Sequence, residues 1–354
     1  MRIAAHDRMP SARALGAQPS GLIAPLAALS YPFILMGFNV SVTRITKSDV
    51  GVLPWLTATV SLLLAFAVPT VALVVAMHFG EIRQPTVAQL RAKRMALLSV
   101  AAPTMFTFLG VVLSMLGDPV PDTWFWVACW VLAVMTLFSA DRNAAVPANV
   151  QPPLAALRVA HGIAAVAIIG IFLAFHITNH LTFLVGPSIY DAVMKIFRHV
   201  YRTEVLQPVL VTLLLFQVGT GLYLVWRHTT LPNDSFLTFQ IASGVYLAFY
   251  VLGHMNSVFF YARTYLGIDS DWNFATGAPT GLIKDSWNIR LVPHYWLGVF
   301  FVLSHLAAGA RTVLMAHGAS KAFADRFMIG GAVTAGIIAT AIILGMCGLR
   351  LQFV

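Results

Sequence analysis

The strongest constraint on the fold is an apolar stretch from Arg158 to Gly186, RVAHGIAAVAIIGIFLAFHITNHLTFLVG. It is long enough to cross a bilayer, since about 20 apolar residues make a transmembrane helix. Three histidines lie within it, His161, His176 and His180. An ionisable side chain inside a membrane helix is costly and therefore indicates a functional site. This stretch is accordingly predicted to be a membrane helix that carries a site.

The spacing of these histidines places them at two depths. His176 and His180 are four residues apart, so they lie on one face of a helix, with Asn179 beside them. His161 precedes His176 by fifteen residues, which is roughly 22 Å along the axis at ~1.5 Å per residue.

The composition is that of a polytopic membrane protein. Hydrophobic residues make up 59% of the 354 residues and charged residues only 10%, whereas a soluble domain is typically about 25% charged. The net charge of +9 does not predict nucleic-acid binding, because basic residues of membrane proteins usually lie in loops facing anionic headgroups. Cys129 and Cys347 are far apart in apolar runs and predict neither a disulfide framework nor a thiolate metal site.

The apolar runs predict an all-α fold with about 8–9 transmembrane helices. We divide the chain into a flexible tail (residues 1–20), an N-terminal membrane group of about three or four spans (21–140), a linker (141–153) and a C-terminal five-helix bundle (154–354). The linker is placed at 141–153 because this segment holds three prolines and little hydrophobicity.

Two regions of the N-terminal group carry specific expectations. Leu22–Val42 could span the membrane or form a kinked or half-inserted segment, because it contains Pro25 and Pro32. Gly80 to Arg94 is basic and predicted to be a loop, followed by an uninterrupted helix from about Met95 to Leu116.

Two segments of the C-terminal group are not predicted to span. Ile189–Arg202 alternates apolar and charged residues at helical spacing, which predicts a short amphipathic helix in the membrane interface. The connection from Arg263 to Val292 is polar and rich in tryptophan, and its unusual length indicates a covering role.

Three helices of the C-terminal group place a histidine after similar apolar runs, IFLAF before His176, FYVLG before His254 and FFVLS before His305. Counting from the helix ends puts His176 and His254 at matching depth, with His305 nearer the midplane and His294 at the mouth of its helix. An axial pair could be His176 with His254 or His176 with His305. His161, near the opposite face, reaches an imidazole of the fourth helix only with more adjustment.

Imidazoles on facing membrane helices are typical of a haem b site, because a bundle core excludes water from the ring. His176, His254 and His305 are the candidate ligands of the haem iron, and Asn179 and Ser304 are candidates for fixing imidazole orientation. A single histidine in such a helix often serves only in helix packing, whereas three on separate helices favour a cofactor.

The remaining histidines of the constellation have less specific predictions. His180 is as well suited to helix packing or contact with a haem propionate as to ligation. His161 and His294 are expected to line the site or lie at the interface.

The motif RVAHG from Arg158, followed by FHITNHL from Phe175, resembles the first helix of the membrane-anchor cytochrome b subunits of succinate dehydrogenase and fumarate reductase. The resemblance covers roughly residues 155–350. It implies a five-helix haem b bundle in which His176, and His305 on the fourth helix, are haem ligands. Two-haem members also use histidines on the second and fifth helices. The corresponding segments of this chain, Glu204–Trp226 and Phe327–Leu349, have no histidine in their interiors. We therefore expect a divergent relative with one haem rather than two, or with an altered pairing.

The leading hypothesis is a membrane haem b protein that carries electrons between a quinone pool and a partner redox subunit. The sequence has no nucleotide-binding fingerprint, Fe–S cysteine set or haem c motif, so no complete active site is assigned and the enzyme question stays open. The expected partners are the lipid bilayer, a quinone, and a soluble redox subunit or a second copy of the chain. The candidates for a quinone pocket, which could equally form an interfacial anchor loop, are Asp285, Trp287, Arg290, His294 and Tyr295.

The alternative is a non-haem membrane transporter or assembly factor whose intramembrane histidines bind a metal ion or only pack. In either case we expect a multi-pass protein of a bacterial-type inner (cytoplasmic) membrane. The distribution of Lys and Arg favours a cytoplasmic location for the side that carries the N-terminal tail.

Overall fold

The computed structural model describes residues 19–46, 51–138, 143–146 and 154–352, and within these ranges the chain is helical and has no β-strand. Nearly all of the predicted flexible tail, residues 1–20, and most of the predicted linker, residues 141–153, lie outside the described residues. The all-α prediction is confirmed for the part that the structure describes.

The helices of the N-terminal group are α1 (Ser20–Thr46), α2 (Val52–Gly80), α3 (Val87–Val100), α4 (Ala102–Met115) and α5 (Asp122–Met135). Those of the C-terminal group are α6 (Ala155–Ile168), α7 (Ala174–Leu181), α8 (Pro187–Tyr201), α9 (Leu206–His228), α10 (Ser235–Met255), α11 (Trp272–Thr276), α12 (Leu291–Ala316) and α13 (Lys321–Met346). A π-helical segment, Ile169–Leu173, joins α6 to α7, and another, Asn256–Tyr265, extends α10.

Seven of the described helical stretches are long and apolar enough to cross a membrane, or eight if α3 and α4 count as one bent span. Five of the seven follow residue 154, as predicted for the C-terminal bundle: Ala155–Leu184, Leu206–His228, Ser235–Tyr265, Asn288–Ala316 and Lys321–Met346. The described residues therefore have the helices of a multi-pass membrane protein, and their seven or eight spans lie just below or at the lower limit of the expected eight to nine.

The first helix is continuous despite its two prolines, and it is long and apolar enough to span the membrane, which is one of the alternatives left open for Leu22–Val42. Pro32 has no N–H to donate to the carbonyl of Ala28, four residues earlier. The indole Nε1 of Trp126 on α5 donates to that carbonyl oxygen at 2.8 Å. A side chain from a neighbouring helix thus satisfies the backbone group that the proline leaves unpaired.

The predicted uninterrupted helix from Met95 to Leu116 is wrong, because α3 and α4 are bent by 65° at Ala101. Pro103 lies in the first turn of α4, where it has no N–H to continue the hydrogen bonding of α3. Apolar composition alone did not reveal this break.

The predicted loop from Gly80 to Arg94 is also too long, since α3 already begins at Val87. Thr86 and Gln89 form a capping box that starts the helix. The ammonium of Lys93, buried within α3, donates to the carbonyl of Leu231 at 2.8 Å, so this basic residue joins two parts of the chain instead of facing solvent.

Helix α10 lies at the centre of the structure and packs against α2, α3, α4, α9 and α12. One buried core includes Tyr31 of α1, Tyr246 of α10 and Phe301 of α12. The N-terminal and C-terminal groups therefore share an apolar core, and the N-terminal helices support the two helices that carry His254, His294 and His305.

A largely buried ion pair adds to this support. Arg290, just before α12, donates from Nη1 to Oδ2 of Asp122 on α5 at 2.7 Å, and its guanidinium lies over the ring of Phe106. A Cβ at Gly110 would meet the guanidinium of Arg290, so this glycine leaves room for the pair.

We expect D122N to lower the unfolding free energy by about 1–3 kcal/mol, because the Arg290 guanidinium loses its carboxylate while Asp122 is only partly exposed to water. Thermal unfolding in detergent measures the change. D118N, which alters an exposed carboxylate in the nearby turn, is the matched control. Equal melting temperatures for D122N and D118N would contradict a supporting role for the pair.

Candidate functional site

The two π-helical segments lie next to histidines. Ile169–Leu173 ends three residues before His176, and Asn256–Tyr265 begins two residues after His254. Such segments are rare and often occur at functional sites, because the extra residue changes the direction of the following side chains. Both irregularities therefore point to the same region of the bundle.

Four imidazoles lie together there, and we call His176, His180, His254 and His294 the four-histidine cluster. The Nε2 atoms of His176 and His180 are 3.0 Å apart, as expected for one face of α7. The rings of His176 and His254, on separate spans, have centroids 5.9 Å apart. Of the two axial pairings left open, the structure places His176 beside His254.

Aromatic rings hold the cluster in place. Phe172 stacks on His176 with ring centroids 4.6 Å apart, and Tyr250 stacks on His254 at 5.6 Å. Tyr250 also lies 4.8 Å from the ring of His294, so one tyrosine bridges two histidines of the cluster. The sequence analysis did not identify Tyr250, although its spacing of four residues before His254 places both on one helix face.

His294 is the most deeply buried member, with 3% of its surface exposed. Its backbone carbonyl accepts a hydrogen bond from the hydroxyl of Tyr246 at 2.9 Å. The Nδ1 atoms of His294 and His180 and the Oδ1 atom of Asn179 are buried and have no hydrogen-bond partner among the described residues. A buried polar atom without a partner is uncommon and requires an explanation.

A second level contains His161 and His305, which we call the inner histidine pair. His305 follows His294 by eleven residues on α12, so it lies roughly 16 Å further along the axis at ~1.5 Å per residue. His161, on α6, lies within electrostatic range of His305. The structure thus brings His305 toward His161 instead of His176.

Hydroxyl groups fix both imidazoles of the inner pair through the same ring atom. Nδ1 of His305 lies 2.9 Å from Oγ of Ser243, and Nδ1 of His161 lies 2.8 Å from Oγ1 of Thr220. The expected orienting role of Ser304 is wrong, because its hydroxyl donates to the carbonyl of Phe300 in its own helix. Ser243 contacts His305 instead, because α10 and α12 face each other at this position. A sequence pattern along a single helix does not show which faces of two helices meet.

Glycines adjoin both rings of the inner pair. A Cβ added to Gly221 would lie 3.5 Å from Cε1 of His161, and one added to Gly244 would lie 3.3 Å from Cε1 of His305. At both positions the neighbouring helix therefore presents a glycine, with no side chain, to the imidazole ring.

The long connection before α12 lies over the four-histidine cluster, as its length indicated. Trp272 of α11 packs against Phe183 and Tyr190, with ring centroids 5.0 and 5.6 Å apart. Phe183 in turn stacks on His180 at 5.3 Å. These aromatic rings separate one end of the cluster from the aqueous phase.

A cavity of about 500 Å³ adjoins the cluster at His254 and His294. Three of the five candidate quinone-pocket residues line it, namely Trp287, His294 and Tyr295, together with His254. The other two, Asp285 and Arg290, have structural contacts. Asp285 accepts hydrogen bonds from the backbone N–H groups of Trp287 and Asn288, and Arg290 forms the ion pair with Asp122.

No group of three or more His, Cys, Asp or Glu side chains converges on a metal-sized site among the described residues. A structural or catalytic zinc ion takes three or four protein ligands, whereas haem iron takes only one or two axial ligands. The described His, Cys, Asp and Glu side chains therefore provide no three-ligand set of the kind that zinc requires.

Comparison with known proteins found no matching family model, no matching curated protein and no matching solved structure. The resemblance to the succinate dehydrogenase anchors therefore stays a prediction that rests on the residues themselves.

The burial of His294 predicts a difference in chemical modification. In folded protein, diethyl pyrocarbonate should modify the exposed His199 and His317 at least tenfold faster than His294, since the reagent needs access to a ring nitrogen. Peptide mass spectrometry over a time course measures each rate. Modification of His294 as fast as that of His317 would contradict the packing of α12 described above, and unfolded protein provides the reference rate.

Proposed function

We propose that this protein is a membrane haem b protein that carries electrons between a quinone pool and a partner redox subunit, with His176 and His254 as axial ligands. The observation that carries the proposal is the 5.9 Å separation of their ring centroids across two spans. Imidazoles at this separation could both bind one iron ion, because metal–imidazole bonds are about 2 Å long. The protein is assigned to a bacterial-type inner (cytoplasmic) membrane.

The residues around this pair fit a haem group. Apolar and aromatic side chains surround the imidazoles, and the partnerless Nδ1 of His180 offers a hydrogen bond to a propionate or other bound polar group. Ligation through Nε2 of His176 would exchange the 3.0 Å contact with His180 for a bond to iron. The chemistry of the donor set, neutral imidazoles in a bundle core, is that of known haem b sites.

Haem iron bound between these imidazoles supplies one-electron transfer through its ferric and ferrous states. The chain itself fixes the planes of the two ligands, since Phe172 stacks on His176 and Tyr250 on His254. Phe183 and Trp272 exclude water from one end of the cluster. A low local dielectric and fixed ligand planes are the means by which a protein tunes such a centre.

The inner histidine pair is a second candidate for the same chemistry. Hydrogen bonds through Nδ1 leave Nε2 of His161 and His305 available as ligands, which is the usual arrangement for a ligating histidine. Gly221 and Gly244 allow the two rings to lie close to the neighbouring helices. A centre at each level would carry electrons between the two faces of the membrane.

The cavity beside His254 is the proposed quinone site. It borders a proposed axial ligand, so a quinone ring there lies next to the electron carrier. The partnerless Nδ1 of His294 is available to bond a quinone carbonyl, and Trp287 and Tyr295 provide aromatic walls. The cavity lining combines apolar side chains with many polar ones, among them Ser257 and Asn288, so it offers hydrogen-bonding groups as well as aromatic walls to such a ligand.

Replacing a proposed ligand tests the haem assignment. We expect H254A, purified from haem-replete cells, to lose one haem per chain, because a single imidazole holds the iron much less firmly. H305A keeps that haem and loses another only if the inner pair also binds one. Haem is quantified per chain as the pyridine complex.

H317A, which removes an exposed histidine, is the control and should keep the full haem content. Unchanged haem in both H254A and H176A, with normal gel filtration, would contradict the pairing. Zinc or copper in place of haem in the purified wild type would favour the non-haem alternative.

Quinone binding is tested separately by titrating the protein with a short-chain quinone and following tryptophan fluorescence. Quenching should be smaller in W287F, and H294A should weaken binding about tenfold, which corresponds to the loss of one hydrogen bond. H317A again serves as the control. Equal affinity of H294A and wild type would exclude His294 from the quinone site.

A further inference from the structure

Three arginines converge at one membrane boundary, outside the site described above. Arg198 belongs to α8, Arg202 follows α8, and Arg263 lies near the end of the span Ser235–Tyr265. Arg198 donates from Nη2 to the carbonyl of Ser270 at 2.8 Å, and Arg202 donates from Nη2 to the hydroxyl of the same residue at 3.3 Å. Two separate parts of the chain, the end of α8 and the end of the span Ser235–Tyr265, thus bring three guanidiniums together.

The negative charge near these arginines does not match their positive charge. Asp269 is 3.9 Å from Arg198 and 3.8 Å from Arg202, and its side chain is 75% exposed. Arg263 donates from Nη1 to a neutral acceptor, the amide oxygen of Gln207, at 3.3 Å. Burial, reinforced by the charges of Arg198 and Arg263, lowers the pKa of Arg202 to about 10, which leaves this guanidinium positive at neutral pH.

The Nε–H groups of the three arginines are the second observation. All three Nε atoms are buried, and none has a hydrogen-bond partner among the described residues. Buried donors are normally paired, and a charged donor gains most from an anionic acceptor. The cluster therefore lacks an acceptor group, and its fork-shaped donors match the geometry of a phosphate.

The surroundings of the cluster identify the source of such an anion. Helix α8 is amphipathic, and its side chains Ile196 and Val200 are exposed beside the arginines. Val205, at the start of the next span, is 73% exposed. Apolar side chains of an interfacial helix face acyl chains, while the arginines lie at headgroup level.

We propose that Arg198, Arg202 and Arg263 form a binding site for the phosphate of an anionic phospholipid, whose acyl chains lie against Ile196, Val200 and Val205. The lipid fixes α8 and the segment after Tyr265, and through Trp272 the cover of the four-histidine cluster. The proposal does not depend on a haem or a quinone.

The experiment uses delipidated full-length protein in neutral detergent, with phosphatidylglycerol, phosphatidylcholine or inorganic phosphate added at equal concentration. We expect phosphatidylglycerol alone to raise the melting temperature, and native mass spectrometry to retain one phosphatidylglycerol per chain. Equal effects of phosphatidylcholine, or of inorganic phosphate, would overturn the assignment to an anionic lipid.

Variants locate the site. Each arginine near an anionic headgroup changes affinity by roughly fivefold, so R202Q/R263Q should weaken phosphatidylglycerol binding by at least tenfold. R326Q, which removes the charge of an exposed arginine at the opposite end of the bundle, is the control for a charge lost away from the site. Wild-type affinity in R202Q/R263Q would overturn the proposal.

R202K keeps the charge and loses the planar fork, so it should bind phosphatidylglycerol more weakly than the wild type and more tightly than R202Q. This variant makes the test independent of whether the double variant folds well. If R202K and R202Q bind phosphatidylglycerol equally and both more weakly than the wild type, the result supports a role for the planar guanidinium fork. If R202K, R202Q and the wild type all bind it equally, the result overturns a role for Arg202.

Discussion

The burial of imidazoles among apolar helices is the constraint on which the rest of this structure depends. Every imidazole has two ring nitrogens, and an unpaired buried polar atom costs about 1–3 kcal/mol. The inner histidine pair satisfies Nδ1 through Ser243 and Thr220, whereas the buried Nδ1 atoms of His180 and His294 have no hydrogen-bond partner within the described part of the chain. A chain that holds such groups in its membrane spans does so at a cost in stability, which is the physical argument for a bound cofactor.

The surrounding helices position these imidazoles rigidly. Helix α10 is enclosed by helices of both groups, and the ion pair of Arg290 with Asp122 fixes the start of α12. The indole of Trp126 stabilises α1 at Pro32, so that even the proline-containing first helix packs as a regular element. The N-terminal helices, which the resemblance to anchor subunits did not explain, thus support the helices that carry His254, His294 and His305.

Much of the architecture could be predicted from the sequence, because membrane spans depend on local composition. The five C-terminal spans, the amphipathic α8 and the covering connection were all visible as patterns. The bend at Ala101 was missed because apolar composition continues through it, although Pro103 was a usable signal. The partner of His305 and the arginine cluster depend on contacts between distant segments, and no local pattern indicates which faces of two helices meet.

The central claim is that paired imidazoles in this bundle hold haem b. Its most direct test is the reduced-minus-oxidised absorption spectrum of the wild-type protein purified from haem-replete cells, with haem quantified per chain. The account predicts a Soret band, a reduced α band typical of bis-imidazole haem b and at least one haem per chain. A colourless, correctly folded preparation would contradict it.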